Sequence, residues 1–129
     1  MQSISIEQTN KTPKVHFDVK RGILELAGIS IPEDADSFYT PLLEVIEEYV
    51  ANPQNKGTVI VFKLVYFNTS TSDYLMGILK KLKKLQNKKH PVIVEWYYEE
   101  EDEDMKELGN HFKIITELPF EFYAQEEIS

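Results

Sequence analysis

The ten residues TVIVFKLVYF at positions 58–67, and the six that follow, NTSTSD at 68–73, decide how the chain folds. The first run follows Gly57 and is nearly continuous in apolar and β-branched side chains. It predicts a strand in the middle of a sheet, covered on both faces. The second run is six small polar residues, which end the strand in a loop. Leu75, Ile78, Leu79, Leu82 and Leu85 then recur at helical spacing and predict an amphipathic helix.

Working outward, the amino-terminal side reads as strands. Ile4 and Ile6 alternate with polar neighbours over residues 3–7, as in a half-buried strand, before Thr12-Pro13 breaks the pattern. Val15, Phe17 and Val19 alternate again, Lys20-Arg21-Gly22 has the composition of a hairpin turn, and residues 23–26 run on as a strand into Gly28. Two antiparallel strands are expected here. Ile31-Pro32-Glu33-Asp34 leads into a helix marked by Phe38, Leu42, Val45, Ile46 and Tyr49. Pro41 leaves two starts open: a helix from Asp34 with a distorted first turn, or a regular one capped by Thr40 with Pro41 first. Asn52-Pro53 ends it. On the carboxyl side, residues 91–98 predict a strand, residues 102–112 a helix packed through Met105, Leu108 and Phe112, and residues 119–123 a short strand.

The resulting order, ββαβαβαβ, requires parallel pairing across each strand–helix–strand crossover, with the first hairpin making the sheet mixed. The expected architecture is one α/β domain over residues 1–129, a sheet of about five strands with three helices.

The 129 residues are enough to bury about two-thirds of the unfolded surface. A net charge of −8 argues against nucleic acid and against an anionic membrane, and suits protein partners. With no cysteine, disulfides, thiolate metal sites and thiol nucleophiles are all absent. The first fourteen residues show no basic-then-apolar leader and the apolar runs are too short to span a bilayer, so a cytoplasmic location is expected.

The segment 68–73 stands where a strand gives way to a helix. Ser, Thr and Asp there serve as helix caps, accepting hydrogen bonds from the free N–H groups. The same place suits a switch, because partners gather at the carboxyl ends of strands in open α/β sheets. A phosphate added there brings about −1.5 to −2 charges and three acceptor oxygens. The helix N-terminus tolerates that anion, while a partner surface packed on it does not. Six lysines at positions 80, 81, 83, 84, 88 and 89 crowd the far end of the helix, where they complement its dipole as a solvated face.

Other features point away from catalysis and metals. The acids at 99–104 lack the alternating ligands, turn glycine and distal glutamate of a calcium loop, and are better placed to open a helix. His16, His90 and His111 have no companion at ligand spacing. No nucleophile–base–acid pattern and no glycine-rich phosphate loop is present, so no enzyme activity and no cofactor are expected.

Several segments together carry a resemblance to a known family. They are Thr12-Pro13-Lys14-Val15 before Phe17-Asp18; Gly28-Ile29-Ser30-Ile31-Pro32-Glu33 before Phe38-Tyr39 and Pro41-Leu42-Leu43; Leu64-Val65-Tyr66-Phe67-Asn68-Thr69-Ser70; Trp96-Tyr97-Tyr98; and Leu118-Pro119-Phe120. In this order and spacing they resemble the SiaC-type bacterial regulatory phosphoproteins, relatives in fold of the STAS domains of anti-sigma-factor antagonists. The resemblance implies a protein switched by a kinase and a PP2C-type phosphatase, which in its unmodified form binds and activates a diguanylate cyclase. The family's modified threonine falls on Thr69, with Ser70 and Thr71 as secondary candidates, and Asn68, Thr69, Ser70, Thr71, Ser72 and Asp73 as the partner-facing set. The expected state is a monomer or weak dimer. Two other readings stay open: an anti-sigma-factor antagonist with the same switch, and a small-ligand or nucleotide site at the same strand ends.

Overall fold

The computed structural model describes residues 3–128. Its elements are β1 (Ile4–Ile6), β2 (Lys14–Asp18), β3 (Ile23–Ser30), α1 (Ala35–Ala51), β4 (Thr58–Phe67), α2 (Thr69–Asn87), β5 (Val92–Glu99), α3 (Glu103–Thr116) and β6 (Phe120–Gln125). The six strands form one sheet in chain order, β1-β2-β3-β4-β5-β6. β1, β2 and β3 pair antiparallel, and β3 to β6 pair parallel. The alternating Ile4/Ile6 segment pairs with β2 as a strand of its own, which makes the sheet six-stranded.

The β2–β3 hairpin turns on Gly22, whose φ of +70° is open to glycine. A Cβ there would lie 2.5 Å from the carbonyl oxygen of Gly57, so the site excludes larger residues for a second reason. α1 is capped by Asp34, whose side chain accepts the amide of Ser37, and it continues through Pro41. Of the two starts left open by the sequence, the earlier one is realised.

Each crossover steps to the adjacent strand in the same direction, so right-handed connections place all three helices on one face of the sheet. Burial agrees. Val15, Phe17, Leu24, Leu26, Ile60, Phe62, Leu64, Val92, Val94 and Trp96 all lie on the helix side and are buried. Of the intervening residues, Glu25, Val59, Lys63, Val65, Glu95 and Tyr97 are only half-buried, while Val61, at the centre of the sheet, is buried by its neighbours on the open face. This corrects the expectation that β4 is covered on both faces: its apolar run is a buried row interleaved with β-branched residues on the open side.

On that open side a cross-strand ladder replaces helix packing. Glu25 lies 3.4 Å from Lys14 and 3.5 Å from Lys63. The Lys63 ammonium sits over the Tyr97 ring, which stacks on Tyr123. Among the described residues no helix is long and apolar enough to cross a membrane.

α3 docks through an unusually close approach. Gly109 faces Trp96 and Phe122, and a Cβ added there would stand 2.7 Å from the Trp96 ring nitrogen. That nitrogen donates to the carbonyl of Met105 at 3.0 Å, so the indole has little room to move. Gly109→Ala is therefore expected to destabilise the protein by about 1–3 kcal/mol through overpacking, read as a lowered midpoint in urea unfolding.

Candidate functional site at the start of α2

The site is built by a mismatch between β3 and β4. Leu64 and Phe67 both turn into the core, although a strand's two-residue period puts positions three apart on opposite faces. The register absorbs this with one extra residue: Gly28 pairs with Leu64, but Ile29 pairs with Tyr66. The bulge leaves Tyr66 exposed on the open face and returns Phe67 to the core directly before the helix.

Asn68 then caps α2. Its backbone is extended, and its side-chain Oδ1 accepts the Thr71 amide at 3.0 Å and the Ser70 hydroxyl at 3.1 Å. The Ser72 amide closes the first regular helical bond onto the Asn68 carbonyl. Residues 68–73, expected as a loop, are thus the cap and opening turn of the helix. The Asn68 side chain satisfies one of the helix-end amides without interrupting the chain.

Within that turn the hydroxyls diverge. Thr69 is the first helical residue and is exposed, as are Ser70 and Asp73, while Ser72 is half-buried. Thr71 is fully buried. Its inclusion among candidate modification and partner-facing residues is corrected on that ground: its side chain points into the space between α2 and the end of β3, donating to the Ser30 carbonyl at 3.1 Å. The exposed side of the turn borders a shallow depression lined by Phe67, Asn68, Thr69, Ser72 and Leu108.

Two residues that sequence reasoning did not single out for the site support it from below. Ser30 ends β3, and Tyr39 lies in the second turn of α1; both are fully buried and hydrogen-bonded to each other at 2.6 Å. Burial pushes the Tyr39 phenol above its ordinary range, against the opposing effect of the neighbouring Ser30 and Thr71 hydroxyls, so it remains a proton donor at neutral pH. Tyr39 also stacks on Tyr74, whose hydroxyl donates to Asp36 at 2.7 Å. The available signal was a lone serine between two isoleucines at the end of a strand.

The acidic run does not join this site as ligands. Glu99 closes β5, Asp102 caps α3 by accepting the Met105 amide at 3.0 Å, and Glu103 and Asp104 occupy the first turn. Among the described residues no group of three or more His, Asp or Glu side chains is placed to hold a metal ion.

Comparison with known proteins gives a consistent result. Residues 6–125 match the family described as SiaC family regulatory phosphoproteins. An uncharacterized protein of Pseudomonas aeruginosa strain UCBPP-PA14 is 28% identical over 127 residues, spanning 98% of this chain and 100% of that protein. The crystal structure of apo-SiaC from Pseudomonas aeruginosa superimposes with a TM-score of 0.85 at 26% identity, covering 96% of this chain and 100% of that one. SiaC as it occurs in the crystal structure of the diguanylate cyclase SiaD in complex with its activator SiaC, from the same species, gives a TM-score of 0.88 at 28% identity, covering 95% and 99%.

The cap is open to a direct test. Asn68→Ala removes the acceptor of the Thr71 amide and is expected to cost about 0.5–2 kcal/mol, whereas Asn68→Asp keeps the acceptor and stays near wild type. Denaturant unfolding of the two variants measures the difference.

Proposed function

The chain belongs to the SiaC family of regulatory phosphoproteins, and from that premise we propose that it is a non-enzymatic switch whose grip on a protein partner is set by phosphate on Thr69. In its unmodified form it binds and activates a diguanylate cyclase. A protein kinase moves the γ-phosphoryl group of ATP onto Thr69 Oγ1, and a PP2C-type phosphatase returns the hydroxyl by hydrolysis. The observation that carries this reading is the placement of Thr69, exposed at the first position of α2 between a capping Asn68 and a buried Thr71.

The energetics favour a switch that leaves the fold intact. A dianion at the first helical position gains about 0.3–1 kcal/mol from the helix dipole. Asp73 stands four residues on and opposes it by about 0.2–0.5 kcal/mol. The two nearly offset, so the modified domain keeps its structure. The partner meets a different surface: where a neutral, exposed hydroxyl bordered the depression that Leu108 and Phe67 also line, a doubly charged group now has to be desolvated. Ser70 is exposed in the same turn and is the secondary candidate. Asn68, Ser72 and Asp73 complete the partner-facing rim. A diguanylate cyclase is preferred to an anti-sigma factor as the output because the SiaC relative is seen bound to SiaD.

Mass spectrometry after incubation with ATP and the candidate kinase is expected to place phosphate on Thr69 and to find none in Thr69→Ala; modification confined to residues outside 68–73 would overturn the assignment. In cyclase capture, Thr69→Asp is expected to bind about tenfold or more weakly, a cost of about 1.4 kcal/mol, while Thr69→Ala stays close to wild type. Equal capture by all three proteins would remove the switch.

A further inference from the structure

Beneath Thr69 lies a cluster of three hydroxyls with no exposed surface, Ser30, Tyr39 and Thr71, contributed by β3, α1 and α2. Tyr39 Oη is 2.6 Å from Ser30 Oγ, Ser30 Oγ is 2.8 Å from Thr71 Oγ1, and Thr71 Oγ1 donates to the Ser30 carbonyl oxygen at 3.1 Å. Each hydroxyl has a single proton, which fixes the direction of the row. A carbonyl cannot donate, so the Thr71 proton points at it. The Ser30 proton then goes to Thr71 Oγ1, and the Tyr39 proton to Ser30 Oγ. Three donors in series end on one acceptor.

That acceptor takes a second bond. The Asn68 amide also donates to the Ser30 carbonyl oxygen, at 3.2 Å. The residues on both sides of the Thr69–Ser70 pair are therefore tied to the same atom: Asn68 by its backbone where β4 ends, Thr71 by its side chain where α2 is under way. The two residues between them are held outward as an arc with both feet fixed. A hydrophobic trio in this space would pack without hydroxyl protons to satisfy, and replacing matched polar partners with apolar groups is often close to neutral for stability. What apolar groups could not supply is the position of the two feet.

We infer that Thr71 is a positioning residue for the switch, holding Thr69 in the orientation that kinase and partner meet, with Ser30 and Tyr39 as its anchor. This rests on the reading of Thr69 as the modified residue, but its first test needs no phosphate. Thr71→Val keeps the shape and removes both the proton to the carbonyl and the acceptor for Ser30. Thr71→Ser keeps the hydroxyl and loses only a methyl group. Amide hydrogen exchange in the full chain reads the turn through Asn68, Thr71 and Ser72, and the core through Val94 and Trp96.

In Thr71→Val, exchange at the three turn amides is expected to rise about tenfold more than at the two core amides, with Thr71→Ser restoring the wild-type ratio. A uniform rise at all five, following lost stability alone, would reduce Thr71 to a core residue and overturn the inference. Tyr39→Phe takes away the head of the row without stranding a proton, and a smaller selective rise of about threefold is expected there, which decides the question should Thr71→Val fail to fold. With the kinase, kcat/KM for Thr69 is expected to fall about tenfold in Thr71→Val and to recover in Thr71→Ser. Unchanged kcat/KM beside a selective exchange effect would overturn the functional half. Absence of phosphate on wild-type Thr69 would sink the phosphorylation reading, while the exchange ratios still decide whether Thr71 sets the turn.

Discussion

Leu64 and Phe67 must both reach the core, and a strand that alternates every residue cannot bring them there. β4 resolves this by slipping one residue against β3 after Gly28. The slip puts the end of β4 level with Ser30, whose carbonyl then receives Asn68. It also starts the helix at once, with Thr69 on the outside. Had the strand kept its period, Phe67 would face the open side of the sheet and the polar segment would begin from a different height and direction. The presentation of the exposed hydroxyl thus follows from packing decided three residues earlier.

The architecture keeps that end of the molecule simple. Helices cover one face only, and the other is finished by Glu25 between two lysines and by the Tyr97–Tyr123 stack. The carboxyl ends of β4 and β5 therefore open onto short connections, the cap of α2 and the acidic cap of α3, rather than onto long loops. On the proposed reading the change delivered by phosphate is local and electrostatic. It alters what a partner must desolvate, and it asks nothing of the core.

Much of this was legible in the chain. The run at 58–67 marked the interior strand, and the leucines from Leu75 to Leu85 marked the helix after it, because both patterns arise from burial along a single element. Coverage of β4 was misread because valines on its open side hide the alternation that Lys63 alone reveals. Capping at 68–73 was legible, because small polar residues stand between a strand and an amphipathic helix; what the sequence left open was which residue is the cap, and Asn68 takes that place so that Thr69 already belongs to the helix. The burial of Thr71 could not be read locally at all. It depends on Ser30, 41 residues away in sequence, and through it on Tyr39. Such a contact has no period and leaves no signature in either segment. The family resemblance pointed to Thr69, while the burial that sets Thr71 apart from the exposed Thr69 and Ser70 shows only in the folded chain.

The bulge and the buried row beneath it divide the labour within four consecutive positions. Asn68 and Thr71 are bound by geometry, one as a cap and one as a buried donor, and the fold constrains what can stand there. Thr69 and Ser70 are exposed, and apart from the Ser70 hydroxyl's bond to the Asn68 cap their side chains hold nothing in place, so the fold constrains their identity far less. On the proposed reading, a lineage carrying this frame can rewrite the message at those two positions, exchanging one hydroxyl for another or fixing a permanent charge, without first having to solve the folding problem again.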